Sequence, residues 1–330
     1  MRILVTGGGG FLGRYIVKSL LERGYHIRIL GRQRQPDLEA LGVHVMQGDI
    51  ANPVSVNNAA FDRDAVFHVA AKAGIWGEWD SYFSPNVIGT RNVIKACQTH
   101  KIKYLIHTSS PSVVFNGDHL RNVDESAPYG RNWHCHYAHT KAIAEQEVLA
   151  ANNSSTLLTI ALRPHLIWGI GDQHLIPRIL ERAKAGKLRI IGDGRNKVDI
   201  IYVSNAAHAH LLAFDALQKE VGCGKAYFIS QDEPVELFPW INNLIQSLGI
   251  EPVKKSISFK MAYKMGSFLE KMHKVFLPKK EPLITRFLAT ELAKDHFFNI
   301  SNAKKDLGYS PLIGTEEGLK LLIPTLKTSS

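Results

Sequence analysis

A glycine-rich turn close to the amino terminus places the strongest constraint on how this chain folds. The short apolar run Ile3 to Val5 leads into the turn, and the helix-like stretch Phe11 to Leu21 follows it directly. Glycine permits a backbone with positive φ and lets a pyrophosphate approach closely. The amides and the dipole of the new helix attract that anion. The order of strand, turn and helix predicts a dinucleotide site, with a ligand-free turn as the alternative. The expected phosphate-binding residues are Gly7, Gly10, Phe11, Leu12 and Gly13.

Apolar runs and amphipathic stretches alternate through the first half of the chain. The predicted strands span residues 26–30, 43–46, 65–70, 104–108 and 157–162. This alternation is typical of a parallel sheet with helices on both faces. We therefore predict an α/β fold with a doubly wound (Rossmann) sheet, and its ligand crevice at the carboxyl ends of the strands. The alternation of predicted strands and helices is less regular after Pro164. We expect a dinucleotide-binding domain over 1–163 and a smaller C-terminal substrate lobe over 164–330, with chain crossings between them.

Composition and charge narrow the range of functions. A content of 45% hydrophobic and 21% charged residues is typical of a globular protein. Three scattered cysteines, and no recognisable secretion signal or spanning segment, predict reduced thiols in a cytoplasmic enzyme. The net charge of +10 comes without a nucleic-acid-binding motif, so we expect no nucleic-acid partner. The lysines crowd between positions 254 and 280, which favours an anionic small molecule or an acidic membrane surface.

The end of the second predicted strand bears on the choice of nicotinamide cofactor. NAD is usually selected by an acidic residue about 20 residues beyond the glycines. Gly31 and Arg32 stand there instead, and the first carboxylate is Asp37. The planar fork of Arg32 is suited to a 2′-phosphate, which favours NADP, with NAD and a merely solvated arginine left open. Asp49 and Ile50 are placed to meet the adenine edge.

Two segments carry the predicted chemistry. Tyr137 and Lys141 lie four residues apart, so a helix would bring them to one face. A tyrosine has an ordinary pKa of about 10, and we expect the lysine to lower that pKa and make the phenol a usable acid or base. Ser110 follows a predicted strand in a serine-rich turn, and its hydroxyl is placed to donate to a substrate oxygen.

In the order of these motifs, the chain resembles the extended short-chain dehydrogenase/reductase family. The matching segments are residues 6–13, Asp49, residues 69–71, Asn86, Ser110, Tyr137, Lys141 and residues 163–164. The resemblance implies that Tyr137 transfers the proton, Ser110 polarises the carbonyl and Lys141 binds the nicotinamide ribose. It also implies a homodimer through the helices at 87–99 and 137–151. The further cofactor-binding residues expected on this basis are Val69, Ala70, Ala71, Thr108, Pro164 and Leu166.

Other segments are similar to the 3β-hydroxysteroid dehydrogenase branch of that family, namely residues 111–115, 124–129 and 304–311. More narrowly, residues 71–77, 140–152, 161–169 and 192–199 resemble bacterial reductases of 2-alkyl-3-oxoalkanoates in olefin biosynthesis. This implies NADPH-dependent reduction of a 3-keto group beside a carboxylate on a lipid-like substrate. The alternatives are a 3β-hydroxysteroid or 4-carboxysterol 3-dehydrogenase, a nucleotide-sugar epimerase or dehydratase, and a redox-sensing binding protein.

The substrate pocket is predicted from residues near these motifs. Trp76 and Trp79 either line a hydrophobic pocket or pack their own loop. Ser112 and His136 flank the catalytic serine and tyrosine and complete the expected substrate site. The histidines and the cysteine at 134–139 match no closed zinc site, so we expect no metal.

A basic amphipathic helix is predicted within residues 256–277. Met265, Phe268, Met272 and Val275 recur at helical spacing, with lysines around them. Such a helix is suited to peripheral contact with a membrane or to a lipid entrance. The alternative is a helix that docks on the small lobe by its apolar face.

Overall fold

A seven-stranded parallel sheet forms the centre of the protein, which a computed structural model describes over residues 1–328. Its strands are β1 (Arg2–Thr6), β2 (His26–Gly31), β3 (His44–Gln47), β4 (Ala65–His68), β5 (Tyr104–Thr108), β7 (Leu158–Pro164) and β12 (Lys225–Ile229). They lie in the order β3-β2-β1-β4-β5-β7-β12. The direction of winding reverses between β1 and β4, and a doubly wound sheet binds its ligand at such a point. The predicted α/β class and doubly wound sheet are confirmed.

Helices cover both faces of this sheet. They are α1 (Phe11–Glu22), α2 (Pro36–Glu39), α3 (Pro53–Ala60), α4 (Trp79–Phe83), α5 (Gly89–Thr99), α6 (His136–Ala150), α7 (Leu175–Lys184), α8 (Val203–Gln218), α9 (Leu237–Gln246), α10 (Phe259–Phe276), α11 (Arg286–Glu291), α12 (Ser301–Leu307) and α13 (Thr315–Thr328). Successive side chains of β1 point to opposite faces. Ile3 and Val5 therefore pack into the core that includes α1 and α8, while Leu4 packs into the core that includes α3 and α5.

A second, four-stranded sheet belongs to the smaller lobe. The remaining strands are β6 (Leu120–Val123), β8 (Ile167–Trp168), β9 (Ile190–Ile191), β10 (Lys197–Val198), β11 (Ile201–Tyr202), β13 (Val235–Glu236), β14 (Ser256–Ile257) and β15 (His296–Phe298). The four-stranded sheet has the order β13-β10-β15-β6. It therefore takes β6 from the first half of the chain, while the central sheet takes β12 from the second half. A single boundary at 163/164 divides the sequence but does not separate the two sheets.

Helix α10 packs on the smaller lobe through its small residues and not through its apolar stripe. Its buried residues are Ala262, Gly266 and Glu270, and a Cβ on Gly266 would lie 2.7 Å from the Thr285 carbonyl carbon. The apolar stripe instead faces outward, with Phe268 62% exposed and Val275 71% exposed. Docking by the apolar face is therefore wrong, because the small residues allow the closer backbone approach. Within residues 1–328, each helix is too short or too polar to cross a bilayer.

Candidate active site

The glycine turn between β1 and α1 is shaped to admit a phosphate. Gly7 has φ +71°, and a Cβ there would lie 2.8 Å from the Ala70 backbone. A Cβ on Gly13 would lie 2.2 Å from the Gly7 carbonyl oxygen, so only glycine lets the helix pack this closely on the turn. Gly10 caps α1 without a side chain, which leaves the first amides of the helix for an anion. The turn fits the pyrophosphate of a dinucleotide.

A cavity of about 1150 Å³ extends from this turn across the carboxyl ends of the strands. Every residue that the sequence assigns to the cofactor lines it: Gly7, Gly10, Phe11, Leu12, Gly13, Arg32, Asp49, Ile50, Val69, Ala70, Ala71, Thr108, Tyr137, Lys141, Pro164 and Leu166. Ser110 lies in the same wall. The fold thus gathers segments more than 150 residues apart into the lining of one cavity.

The basic residues beside β2 differ in their partners. Arg14 pairs with Asp37, and Arg34 pairs with Glu39 at 2.7 Å. Arg32 is exposed at the edge of the cavity and forms no ion pair among residues 1–328. Because Gly31 ends β2, no carboxylate stands at the position expected for ribose recognition. Arg32 is therefore available to an anionic group on a ligand.

The end of β5 and the start of α6 bring Ser110 and Tyr137 together. Ser110 Oγ lies 2.9 Å from Ser112 Oγ and accepts a hydrogen bond from the Ser112 amide at 3.2 Å. Burial raises the pKa of Tyr137 above its ordinary value, while a hydrogen bond with Ser110 opposes that rise. Both side chains line the same cavity.

Lys141 is buried beneath this pair. Its Nζ donates to the Thr108 carbonyl at 2.6 Å and lies 3.3 Å from His107 Nε2. Burial lowers the pKa of Lys141 to about 8. The expectation that Lys141 lowers the pKa of Tyr137 is wrong for this structure, because burial of the phenol dominates and the ammonium is directed at the end of β5.

A buried ion pair fixes α6 against the sheet, and the sequence analysis did not identify it. Arg163 on β7 donates to Glu145 on α6 at 2.6 and 3.0 Å, and both side chains are almost fully buried. Tyr129 donates to the same carboxylate at 2.7 Å. Glu145 lies one helical turn beyond Lys141, so this contact orients the face of α6 that carries the catalytic residues.

The substrate-site predictions have mixed outcomes. Ser112 lines the cavity, whereas Trp76, Trp79 and His136 do not. Trp79 packs its ring against His136 and His139 on the outer side of α6, at centroid distances of 5.4 and 5.0 Å. Trp76 donates from Nε1 to the Pro278 carbonyl at 3.0 Å. These aromatic side chains therefore pack their own loop against its neighbours, which was the alternative interpretation.

Residues that the sequence analysis did not identify line the substrate end instead: His165, Phe287, Glu291, His296 and Phe298. His165 follows β7, and its Nε2 lies 2.6 Å from His296 Nδ1 on β15. His296 Nε2 lies 2.8 Å from the Glu291 carbonyl oxygen and 3.7 Å from Glu291 Oε2. The two histidines are 131 residues apart in the sequence, so no local pattern predicts that they form a cluster.

The comparisons with known proteins agree with this geometry. A profile of the 3-beta hydroxysteroid dehydrogenase/isomerase family matches residues 4–261. The 2-alkyl-3-oxoalkanoate reductase of Stenotrophomonas maltophilia (strain K279a) is 50% identical over 98% of this chain and 98% of its own length. A decarboxylating sterol-4-alpha-carboxylate 3-dehydrogenase of Mus musculus is 33% identical over 96% of this chain and 88% of its own. The solved structure of MoeE5 in complex with UDP-glucuronic acid and NAD matches with a TM-score of 0.76 at 23% identity, covering 100% of both chains.

The protein is an NAD(P)-dependent oxidoreductase of the extended short-chain dehydrogenase/reductase class, which interconverts CH–OH and C=O groups. This class is defined by the parallel sheet, the glycine turn, and the serine, tyrosine and lysine beside that turn. Within that class, the chain belongs to the 3-beta hydroxysteroid dehydrogenase/isomerase family. It is more similar to the bacterial reductase than to the mouse sterol dehydrogenase.

Proposed function

We propose that this protein uses NADPH to reduce the 3-keto group of a 2-alkyl-3-oxoalkanoate. The observation that carries the proposal is the meeting of Tyr137 and Ser110 in the wall of a cavity whose other end is the glycine turn. On this proposal Tyr137 is the proton donor and Ser110 is the hydroxyl that binds the carbonyl, in the lining that also reaches the glycine turn. The name of the 50% identical bacterial relative supplies the substrate class.

The side chains divide the reaction between them. A bound nicotinamide dinucleotide supplies the hydride. Ser110 Oγ donates to the carbonyl oxygen and stabilises the charge that develops there. Tyr137 donates its phenolic proton to the same oxygen, and its raised pKa keeps that proton available at neutral pH. Lys141 holds the end of β5 through the Thr108 carbonyl, so the two hydroxyls keep their relative positions.

NADP is the proposed cofactor because of Arg32. This guanidinium has no ion-pair partner within residues 1–328 and lies beside the cavity, where a 2′-phosphate would give it charge-assisted hydrogen bonds. Gly31 provides no carboxylate that would repel that phosphate. NAD lacks the phosphate and would leave Arg32 without a partner.

The substrate end supports a lipid-like molecule. Phe115 and Phe287 pack with ring centroids 5.0 Å apart and line the cavity together with Ile75. Phe298 lies beyond them, in the same lining. This apolar surface suits alkyl chains, and it also suits a carboxysterol, the substrate type named for the 33% identical mouse relative.

Oxidation of NADPH, followed over a range of substrate concentrations for each member of a panel, tests the proposed function. The panel contains a 2-alkyl-3-oxoalkanoate, a 3-ketosteroid and a UDP-sugar. We expect the oxoalkanoate to give the highest kcat/KM. A higher value for the ketosteroid, or no turnover of the oxoalkanoate, would contradict the proposal.

We further propose that α10 rests on a membrane surface. Its exposed stripe of Met261, Phe268 and Val275 is flanked by exposed lysines, a combination that binds anionic lipid. Trp76 contacts Pro278 just beyond α10, and the adjoining Ile75 lines the cavity, so lipid would enter nearby. The variant Phe268→Ser/Val275→Ser should no longer float with anionic vesicles. The control Val54→Ser/Leu312→Ser, exposed elsewhere, should float like the parent protein.

A homodimer through α5 and α6 is also proposed. The two helices lie side by side, joined by the Arg91–Glu147 ion pair at 2.6 Å. Four helices from two protomers would pack along this face. Light scattering after size-exclusion chromatography should give twice the mass of one chain, and the mass of one chain would contradict the dimer.

A further inference from the structure

The row Glu291–His296–His165 at the substrate end has a defined hydrogen-bond direction. The Glu291 carbonyl can only accept, so His296 carries its hydrogen on Nε2. A neutral His296 then accepts at Nδ1, and His165 donates from Nε2 across the 2.6 Å contact. The lone pair of the row therefore falls on His165 Nδ1, which makes no hydrogen bond among residues 1–328.

The fold brings His165 into the lining of the cavity that also contains Ser110 and Tyr137. Strands β5 and β7 are parallel neighbours with Thr108 opposite Leu162. Counting on by two residues sets Ser110 beside Pro164, and His165 is the next residue along. His165 is about nine-tenths buried, lines the cavity and packs against His296 and Phe298 of the smaller lobe. It thus lies where the smaller lobe meets the lining that contains Ser110 and Tyr137.

We propose that His165 Nδ1 binds the carboxyl group of the substrate, with one proton shared between the imidazole and the carboxyl oxygen. This inference rests on the proposed function, which supplies a substrate with a carboxyl group. The carboxyl carbon of a 3-oxoalkanoate is two bonds from the keto carbon. Its partner must therefore stand next to Ser110. Of the lysines and arginines in the lining, Lys141 donates to the Thr108 carbonyl, Lys72 lies over the Tyr82 ring at 4.6 Å, and Arg32 lies beside β2 at the cofactor end.

The charges of the groups around this row of residues determine how many protons are taken up when a carboxylate binds. Burial and the neighbouring His296 lower the pKa of His165 well below its ordinary value, so the free imidazole of His165 is neutral at pH 7. Glu291 on α11 and Asp199, whose amide donates to the His296 carbonyl at 3.0 Å, are the acidic groups facing His296. Binding of a carboxylate from water must therefore be accompanied by the uptake of about one proton.

A metal ion is the competing occupant of this cluster. The nitrogens of His165 and His296 are 2.6 Å apart and already bonded to each other. Two histidine ligands at about 2.0–2.1 Å from a tetrahedral zinc would stand farther apart than this. The hydrogen that His165 carries on Nε2 also blocks that atom as a ligand. The direct carboxyl contact accordingly requires less rearrangement.

Binding of a carboxylate without a ketone tests the inference independently of turnover. With NADP⁺ bound, the parent protein should bind 2-hexyldecanoate about tenfold or more tighter than its methyl ester, as a charge-assisted hydrogen bond allows. In His165→Gln the amide still reaches His296, but no group remains at the Nδ1 position. This variant should bind acid and ester equally, whereas His174→Gln, a second histidine in the lining, should keep the preference.

Calorimetry of the parent in buffers of different ionisation enthalpy gives a second readout that needs no variant. About one proton should be taken up with the acid and none with the ester. Absence of proton uptake, a preference that survives in His165→Gln, or a preference that EDTA removes would each overturn the inference. Acid preference without reduction of any 3-oxoalkanoate would refute the proposed function alone, and reduction without acid preference would refute this inference alone.

Discussion

The two ends of the cavity differ in how much of their lining the sequence analysis names. At the cofactor end, each expected residue from Gly7 to Leu166 lines the cavity. At the substrate end, Trp76, Trp79 and His136 lie outside it, and the lining comes from α11 and β15 instead. The cofactor end is built from turns that directly follow β-strands, so local sequence determines it. The substrate end is closed by segments more than 100 residues away, which only the tertiary fold brings together.

The largest expected effect is on kcat, from a change at Tyr137, where the cofactor end and the substrate end of the cavity meet. Replacing Tyr137 with Phe removes the proton donor but leaves the shape of the cavity unchanged. We expect kcat to fall by about 10³-fold, within the usual range for general acid catalysis, while the Kd for NADPH stays the same. The control Tyr104→Phe, at the start of β5, should keep full activity. Turnover of Tyr137→Phe above a tenth of the parent rate would remove Tyr137 from its role.

The second prediction concerns how the junction is held together. Glu145→Gln leaves the buried Arg163 without its counter-charge, so the free energy of unfolding should drop by about 3–5 kcal/mol. Glu147→Gln, two residues along α6, breaks the exposed pair with Arg91 and should cost less than about 1 kcal/mol. Urea denaturation measures both. Equal losses would show that α6 does not depend on the buried pair.

The sequence could name Ser110, Tyr137 and Lys141 as candidate catalytic residues because each belongs to a short motif next to a strand or on a helix. It could not predict the contact of Glu145 with Arg163, since nothing local distinguishes a buried ion pair from a solvated one. The helical spacing from Met261 correctly indicated α10. It did not show which face packs, because two small residues, Ala262 and Gly266, dock the helix rather than the larger apolar ones.

The third prediction concerns the cofactor end alone. Arg32→Ala should weaken NADPH binding by about 10- to 100-fold, the loss expected for charge-assisted hydrogen bonds, and leave NADH binding unchanged. Arg34→Ala, which removes a guanidinium already paired with Glu39, should change neither affinity by more than about twofold. Fluorescence titration of each cofactor measures the affinities. Equal binding of both cofactors by the parent protein would contradict the assignment of Arg32.

The smallest expected effect is on pH dependence. Because burial lowers the pKa of Lys141 to about 8, the ammonium is charged below that pH and neutral above it. Burial raises the pKa of Tyr137, so the phenol keeps its proton over the same range. Because a neutral amine donates a weaker hydrogen bond to the Thr108 carbonyl than an ammonium does, kcat/KM for reduction should be level below pH ~7 and fall by less than about tenfold in all above pH ~8. The activity that remains in Lys141→Arg should not fall, since arginine stays charged. A parent profile that is level to pH 9.5 would contradict this.

Hydrogen–deuterium exchange with stepwise ligand addition tests the division of the cavity most directly. NADP⁺ alone should protect the amides of residues 7–13 and 69–73. Addition of 2-hexyldecanoate should then protect residues 286–298, in α11 and β15, and leave residues 76–79 unchanged. Protection that appears at 76–79 while 286–298 exchange as before would contradict the account, because the substrate would then bind at the tryptophan loop.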